Sequence, residues 1–191
     1  MTFSAAVLAG GRSTRMGTDK AFLHVGCELL IERQLRILRE SGAKELLISG
    51  RSGVDYSIFG VRVVYDEYID AGPLAGLAAI LKAAVHRLVP VLAVDLPAMT
   101  PPMLQKIIAH CTEGSGCVPV NSSGYQPLAA TYPKAALRLA QRQLQAGRHS
   151  MQAFVKQAIA DGLVQPLELS ASEQLLFTNW NRPSDWIEPS T

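Results

Sequence analysis

Short apolar runs alternate with helical stripes through the first two thirds of this chain, and that alternation limits the fold more than any other feature. Residues 5–9, 45–49, 61–65 and 89–94 carry apolar centres of strand length, bounded by glycine, proline or charged residues. Runs without a polar alternation suit strands covered on both faces. Between them the period changes. From Leu29 onward, Ile31, Leu35 and Leu38 share one helical face, with Arg33, Arg36, Arg39 and Glu40 largely elsewhere. Gly42 suits the end of that helix. A second stripe, Leu74, Leu77, Leu81, Val85 and Leu88, follows Pro73, which suits a first helical turn. A third helix begins at Thr100 as N-cap, with Pro101 at the first helical position, and buries Leu104, Ile107, Ile108 and Cys111. The order strand, helix, strand, strand, helix, strand, helix predicts an α/β fold. It is a three-layer α/β/α arrangement around a mainly parallel, Rossmann-like sheet.

The second half is less regular. Strands are expected over 116–120, 126–132, 164–169 and 176–179, a short extended segment over 21–25, and helices over 136–145 and from Ser150. Ser150 is the N-cap of the last helix, whose stripe is Met151, Phe154, Val155, Ala158 and Ile159. Residues 183–191 read as a frayed or surface-docked tail. No repeat, linker or low-complexity segment divides the chain, so residues 1–191 are expected to form one domain.

Within this frame residues 6–20, Ala-Val-Leu-Ala-Gly-Gly-Arg-Ser-Thr-Arg-Met-Gly-Thr-Asp-Lys, stand out. Gly10 and Gly11 end the first strand, and a backbone without Cβ can turn sharply and approach a ligand closely. Arg12, Arg15 and Lys20 then face a single acid, Asp19. Successive backbone N–H groups and cations of this kind suit a polyanion. A P-loop is excluded because Gly17 is followed by Thr18 rather than by Lys, and the dinucleotide G-x-G-x-x-G spacing is absent. A glycine turn before a solvated basic loop fits the charges equally well.

The whole string tips that balance. Leu8-Ala9-Gly10-Gly11-x-Ser13-x-Arg15-Met16-Gly17-x-Asp19-Lys20 closely resembles the N-terminal signature of the molybdenum cofactor guanylyltransferases, members of the sugar-phosphate-type nucleotidyltransferases. The segments 72–76, 126–128, 147–150 and 177–185 look family-like as well. The resemblance implies a nucleotidyltransferase fold and transfer of GMP from GTP to the terminal phosphate of molybdenum-bound molybdopterin. It implies Mg²⁺ as cofactor and nucleotide contacts at Leu8, Ala9, Gly10, Gly11, Lys20, Ser49, Asp66 and Asp95. It places Asn179 and Asn181 near the pterin. GTP and molybdenum-molybdopterin are thus the expected substrates, and molybdoenzymes or cofactor-insertion proteins the expected transient partners.

Each of these residues also has a chemical reading of its own. Lys20 and Arg15 are charged at neutral pH and suit a triphosphate. Asp95 follows a buried strand and can hold Mg²⁺ through carboxylate oxygen and waters; alone, Asp-x-Pro reads as a turn, and beside the glycine loop it reads as a metal ligand. Asp66 can accept hydrogen bonds from a base or ribose, help hold metal, or bond its own loop. Asn179 and Asn181 offer amide donors and acceptors to a polar heterocycle, or form an Asx turn before Pro183. Asp19 either orients Lys20 or caps the next turn, and Arg12 is expected at the solvated surface. Ser49-Gly50-Arg51 departs from the family, which often carries Asn after the second strand.

Gly10 has two readings: without a Cβ it leaves room for a purine, and carbonyls of the turn could accept guanine N–H groups, so guanine is the expected base; or the glycine serves only the turn. The nearest rival is a cytidylyltransferase acting on the same pterin, whose members usually have Ala at this place and often lack Asp19-Lys20. A catalytically silent nucleotide-binding regulator is the rival from another class, and intact Lys20 and Asp95 speak against it. A net charge of +2 over 191 residues gives no basis for nucleic-acid binding. Cys27, Cys111 and Cys117, odd in number and without a signal peptide, suggest reduced thiols in the cytoplasm. No apolar run reaches the ~20 residues of a membrane span.

Overall fold

The computed structural model of the protein describes residues 1–10, 19–68 and 70–180. Ten strands occur among them: β1 (Ser4–Leu8), β2 (His24–Val25), β3 (Glu28–Leu29), β4 (Glu45–Gly50), β5 (Arg62–Tyr65), β6 (Leu88–Ala93), β7 (Gly116–Asn121), β8 (Gly124–Tyr125), β9 (Ala129–Pro133) and β10 (Val164–Glu168). The helices are α1 (Leu30–Glu40), α2 (Pro73–Ala83), α3 (Pro101–Ala109), α4 (Leu137–Gln145), α5 (Met151–Ala160) and the short α6 (Ala171–Gln174). The main sheet has the order β10-β7-β9-β6-β1-β4-β5, with β8 paired to β7. β1 lies between β4 and β6, parallel to both. β5 continues the parallel set, while β9 runs antiparallel to β6 and to β7.

The apolar runs are continuous because both sheet faces are covered. Ala5, Val7, Ile48 and Leu92 pack on one side with α1 and α3 residues such as Ile31, Leu38, Leu104 and Ile107. Ala6, Leu8, Leu47, Val89 and Val91 pack on the other with α2, α4 and α5 residues such as Leu77, Leu139 and Phe154. Alternate residues of one strand therefore enter different cores, as the period-two geometry requires. The three-layer α/β/α arrangement follows directly.

Close helix–sheet contact sets one position in α2. A Cβ on Gly76 would stand 2.6 Å from Ser49 Oγ, so the helix reaches β4 here only as glycine. The chain runs outward from β1 through β4 to β5 and then returns on the other side of β1 as β6. That reversal creates a switch point beyond the C-terminal strand ends, where open α/β sheets bind ligands.

Several local expectations are corrected. The extended segment expected over 21–25 is shorter: Ala21 and Phe22 belong to the 3-10 turn Lys20–Phe22, Leu23 is extended, and His24–Val25 is a strand paired with Glu28–Leu29. The α2 stripe stops at Ala83; Val85 is exposed and Leu88 opens β6. β9 starts at Ala129, three residues after the expected Gln126, because Pro127 has no N–H to give a ladder. Residues 176–179 are no strand. A capping box between Ser170 and Glu173 starts α6 there, and Leu175–Phe177 continues as a 3-10 turn.

Candidate active site

The C-terminal end of β1 is gripped from both sides. The Leu8 carbonyl accepts the Val94 N–H at 3.2 Å, and the Ala9 N–H donates to the Ser49 carbonyl at 2.9 Å. Gly10 comes next. A Cβ there would lie 3.5 Å from the Gly50 carbonyl oxygen, an ordinary contact, so the space Gly10 leaves faces the end of β4.

Asp95 stands just past β6, and α1 fixes its backbone. Gln34 Nε2 donates to the Leu96 carbonyl at 2.9 Å and to the Val94 carbonyl at 3.4 Å, the two residues flanking Asp95. Arg33 Nε donates to the Pro97 carbonyl at 2.7 Å. Gln34 is fully buried. Its amide N–H groups serve carbonyls that the end of β6 would otherwise leave open, while its Oε1 is buried without a hydrogen-bond partner among the described residues. Its signal was legible: a polar residue on the buried stripe between Ile31 and Leu38. Arg33 gave no such signal.

Lys20 reaches across to Asp95. Its Nζ lies 3.2 Å from Asp95 Oδ2 and donates to the Trp180 carbonyl at 2.9 Å. The Trp180 N–H in turn donates to the Asp95 carbonyl at 2.9 Å. The two charged side chains are 19% and 22% exposed, so their attraction is less screened than at an open surface. Residues 75 apart in sequence and the backbone of Trp180 thus meet at one point beyond β1 and β6. Asn179, exposed, adjoins that point.

Asp19 caps the turn that bears Lys20: its Oδ1 accepts the Ala21 N–H at 3.0 Å. Asp66 lies elsewhere, exposed beyond the edge strand β5. Partial desolvation, and then the negative charge of Asp70, raise its carboxyl above the usual range. Asp70 holds a positive φ of 61°, uncommon for any residue but glycine and best tolerated by Asn and Asp. Ser49 lies near the end of β4. It is 2% exposed with its hydroxyl turned to Gly76 of α2, so it packs sheet against helix, and only its backbone serves the end of β1. Gly11, Arg12, Arg15 and Asn181 fall outside the described residues.

Among the described residues no three His, Cys, Asp or Glu side chains group around a metal. One carboxylate at a strand end, partly open to solvent, nevertheless fits Mg²⁺, which keeps several waters and takes further ligands from substrate phosphates. The cysteines offer no nucleophile at the site. Cys111 and Cys117 are buried, and burial pushes their thiols up to about 11 and about 12.

A family model described as the MobA-like NTP transferase domain matches residues 5–162. The chain belongs to that family. It is 43% identical to a protein of Opitutus terrae described as a probable molybdenum cofactor guanylyltransferase, over 95% of this chain and 92% of that one. It is 33% identical to the molybdenum cofactor guanylyltransferase of Pseudomonas putida strain F1, over 94% of this chain and 93% of the relative. The crystal structure of molybdopterin-guanine dinucleotide biosynthesis protein A from Archaeoglobus fulgidus shares the fold, with a TM-score of 0.76 at 21% identity, over 96% of this chain and 94% of that one. As a MobA-like NTP transferase the chain is a nucleotidyltransferase, and Lys20 and Asp95 are the charged pair its fold assembles at the sheet's switch point.

Proposed function

We propose that this chain, acting as one nucleotidyltransferase domain, transfers GMP from GTP to the terminal phosphate of molybdenum-bound molybdopterin. The observation that carries the reading is the Lys20–Asp95 pair at 3.2 Å beyond β1 and β6, in a chain so similar to named guanylyltransferases. An acceptor phosphate oxygen attacks the α-phosphorus of GTP. The bond from that phosphorus to the bridging oxygen breaks, and pyrophosphate leaves with the electron pair. The attacking oxygen is already anionic, so no strong general base is needed. Catalysis rests on positioning and charge neutralisation.

Each residue then has a task. Lys20 turns its ammonium from Asp95 to a triphosphate oxygen, and Arg15 gives a second cation. Asp95 would hold Mg²⁺, which supplies positive charge to the triphosphate when bound. Leu8, Ala9, Gly10 and Gly11 carry the backbone that meets the nucleotide. Asp66, with Asp70 close by, accepts from a ribose hydroxyl or a guanine N–H. Asn179, beside the strap that joins Trp180 to Asp95, contacts the pterin, and Asn181 is the second amide assigned to it. Molybdoenzymes or insertion proteins would take the product in transient contact.

Initial rates of pyrophosphate release with each Mg²⁺–NTP and the pterin cofactor test this. GTP should exceed ATP, CTP and UTP by about tenfold or more, the discrimination expected when a wrong base leaves a buried acceptor unpaired. Equal or greater efficiency with CTP would overturn the guanine assignment. Absence of pyrophosphate release from every nucleotide would point to the silent regulator instead.

A further inference from the structure

Lys20 is flanked by contacts to a loop that the transfer reaction does not use. On its N-terminal side, Asp19 is 7% exposed. Its Oδ2 accepts the Tyr56 hydroxyl at 2.8 Å, and Arg51 Nε lies 3.1 Å from the same oxygen. That Nε makes no directed hydrogen bond, so its contact with Asp19 is one of charge. On the C-terminal side, the Phe22 ring stacks on Tyr56 with centroids 5.9 Å apart and planes at 28°. Phe22 also meets Phe59 at 5.8 Å. Tyr56, fully buried, therefore touches both the residue before Lys20 and the second residue after it. Gly50 makes room for it, since a Cβ there would stand 2.7 Å from the Tyr56 ring.

Core packing accounts for the ring and leaves the polar part unexplained. A buried carboxylate is costly unless it is paired and hydrogen-bonded. A neutral Ser or Asn would cap the Lys20–Phe22 turn as well as Asp19 does. What the carboxylate adds is a link, through Tyr56 and Arg51, to the loop after β4. Burial, and then Asp19, raise the Tyr56 pKa well above the usual tyrosine value, so the hydroxyl remains a donor at neutral pH.

We propose that Tyr56 and Arg51 are positioning residues for the triphosphate: through Asp19 they fix where the Lys20 ammonium stands. The proposal rests on Lys20 being the triphosphate cation. Calorimetric titration of Mg²⁺–GTP into the full chain tests both, using wild type, Tyr56→Phe, Lys20→Ala and the double variant. Tyr56→Phe keeps the ring and removes the link. It should weaken Mg²⁺–GTP binding about three- to tenfold in a chain that still folds, its unfolding midpoint lowered by the lost buried hydrogen bond, and in the Lys20→Ala background the same change should have an effect on binding under about twofold.

An unchanged Kd in folded Tyr56→Phe overturns the proposal. Equal weakening in both backgrounds also overturns it, because Tyr56 then acts other than through Lys20, and the Lys20 reading stands. If Lys20→Ala itself leaves Kd unchanged, the triphosphate reading falls and this proposal with it. Should Tyr56→Phe fail to fold, Arg51→Gln takes its place, since the Arg51 side chain is 38% exposed and its loss spares the core. Its expected weakening is about threefold, again abolished by Lys20→Ala; an unchanged Kd, or a weakening that persists without Lys20, overturns the proposal.

Discussion

The two sides of the strand-end face carry opposite electrostatic designs. Beyond β1 and β6, Lys20 and Asp95 neutralise each other, and the Trp180 backbone ties them together. Beyond β5, two or more strand spacings away and so about 10 Å from β1, Asp66 stands near Asp70 with its carboxyl pKa raised. The first side can exchange an internal ion pair for contacts to an external phosphate and an external cation. The second keeps an excess of acceptors, which suits hydroxyl and N–H donors of a nucleoside. A nucleotide laid across the switch point would meet each end with the matching chemistry.

Breaking the first side should have the largest effect. Asp95→Asn removes the carboxylate that would hold Mg²⁺, and kcat/KM with Mg²⁺–GTP should fall about 10²- to 10³-fold. Its fold should survive, since Asn keeps the size of Asp95 and leaves the backbone contacts from Gln34 and Trp180 in place; circular dichroism and thermal unfolding check that. Wild-type turnover in a folded variant would remove Asp95 from the metal. Lys20→Ala should cost somewhat less, about 10²-fold in kcat/KM. Part of that loss should appear in KM for GTP, as one cation facing the triphosphate is removed. Kinetics unchanged across GTP concentrations would reverse the assignment.

The second side is sharpened by a smaller change. Asp70→Asn removes the nearby negative charge, and the Asp66 pKa should move down toward its ordinary value, with desolvation, the larger cause, still holding it up. Carboxyl NMR titration reads this directly. The sign carries through to stability. A carboxyl raised in the folded state favours its protonated form, so its contribution is present below the ordinary value of about 3.9 and lost as pH rises through the raised one. Asp70→Asn should reduce that loss. An unmoved Asp66 titration would mean that desolvation alone sets the Asp66 pKa.

How much of this was legible in the chain depends on the range of the interaction involved. The strands flanking the site read clearly, because burial on both faces forces continuous apolar sequence whatever the neighbours are. Helix starts read well too: Thr100 and Ser150 stand at the N-cap positions, where the Ser150 hydroxyl accepts the Ala153 N–H and the Thr100 side chain makes no capping bond. Misread segments were those where a local device overrode apolar content. The Ser170–Glu173 box turned residues 171–177 into helical turns, and α2 stopped at Ala83 although the leucine spacing ran on.

By itself, the sequence determined the three-layer fold, the strand-end location of Lys20, Asp66 and Asp95, and the family. Apolar periodicity, glycine and charge act over a few residues, and the long N-terminal string is specific. Only the tertiary structure decided what those residues touch. It paired Lys20 with Asp95, braced Asp95 from Gln34 and Arg33, turned Ser49 to α2, and set Tyr56 and Arg51 on Asp19. Those contacts join residues 32 to 75 positions apart or depend on which face of a strand meets a helix. They form only when the sheet order places β4 and β6 on either side of β1, and no local pattern in the chain encodes that order.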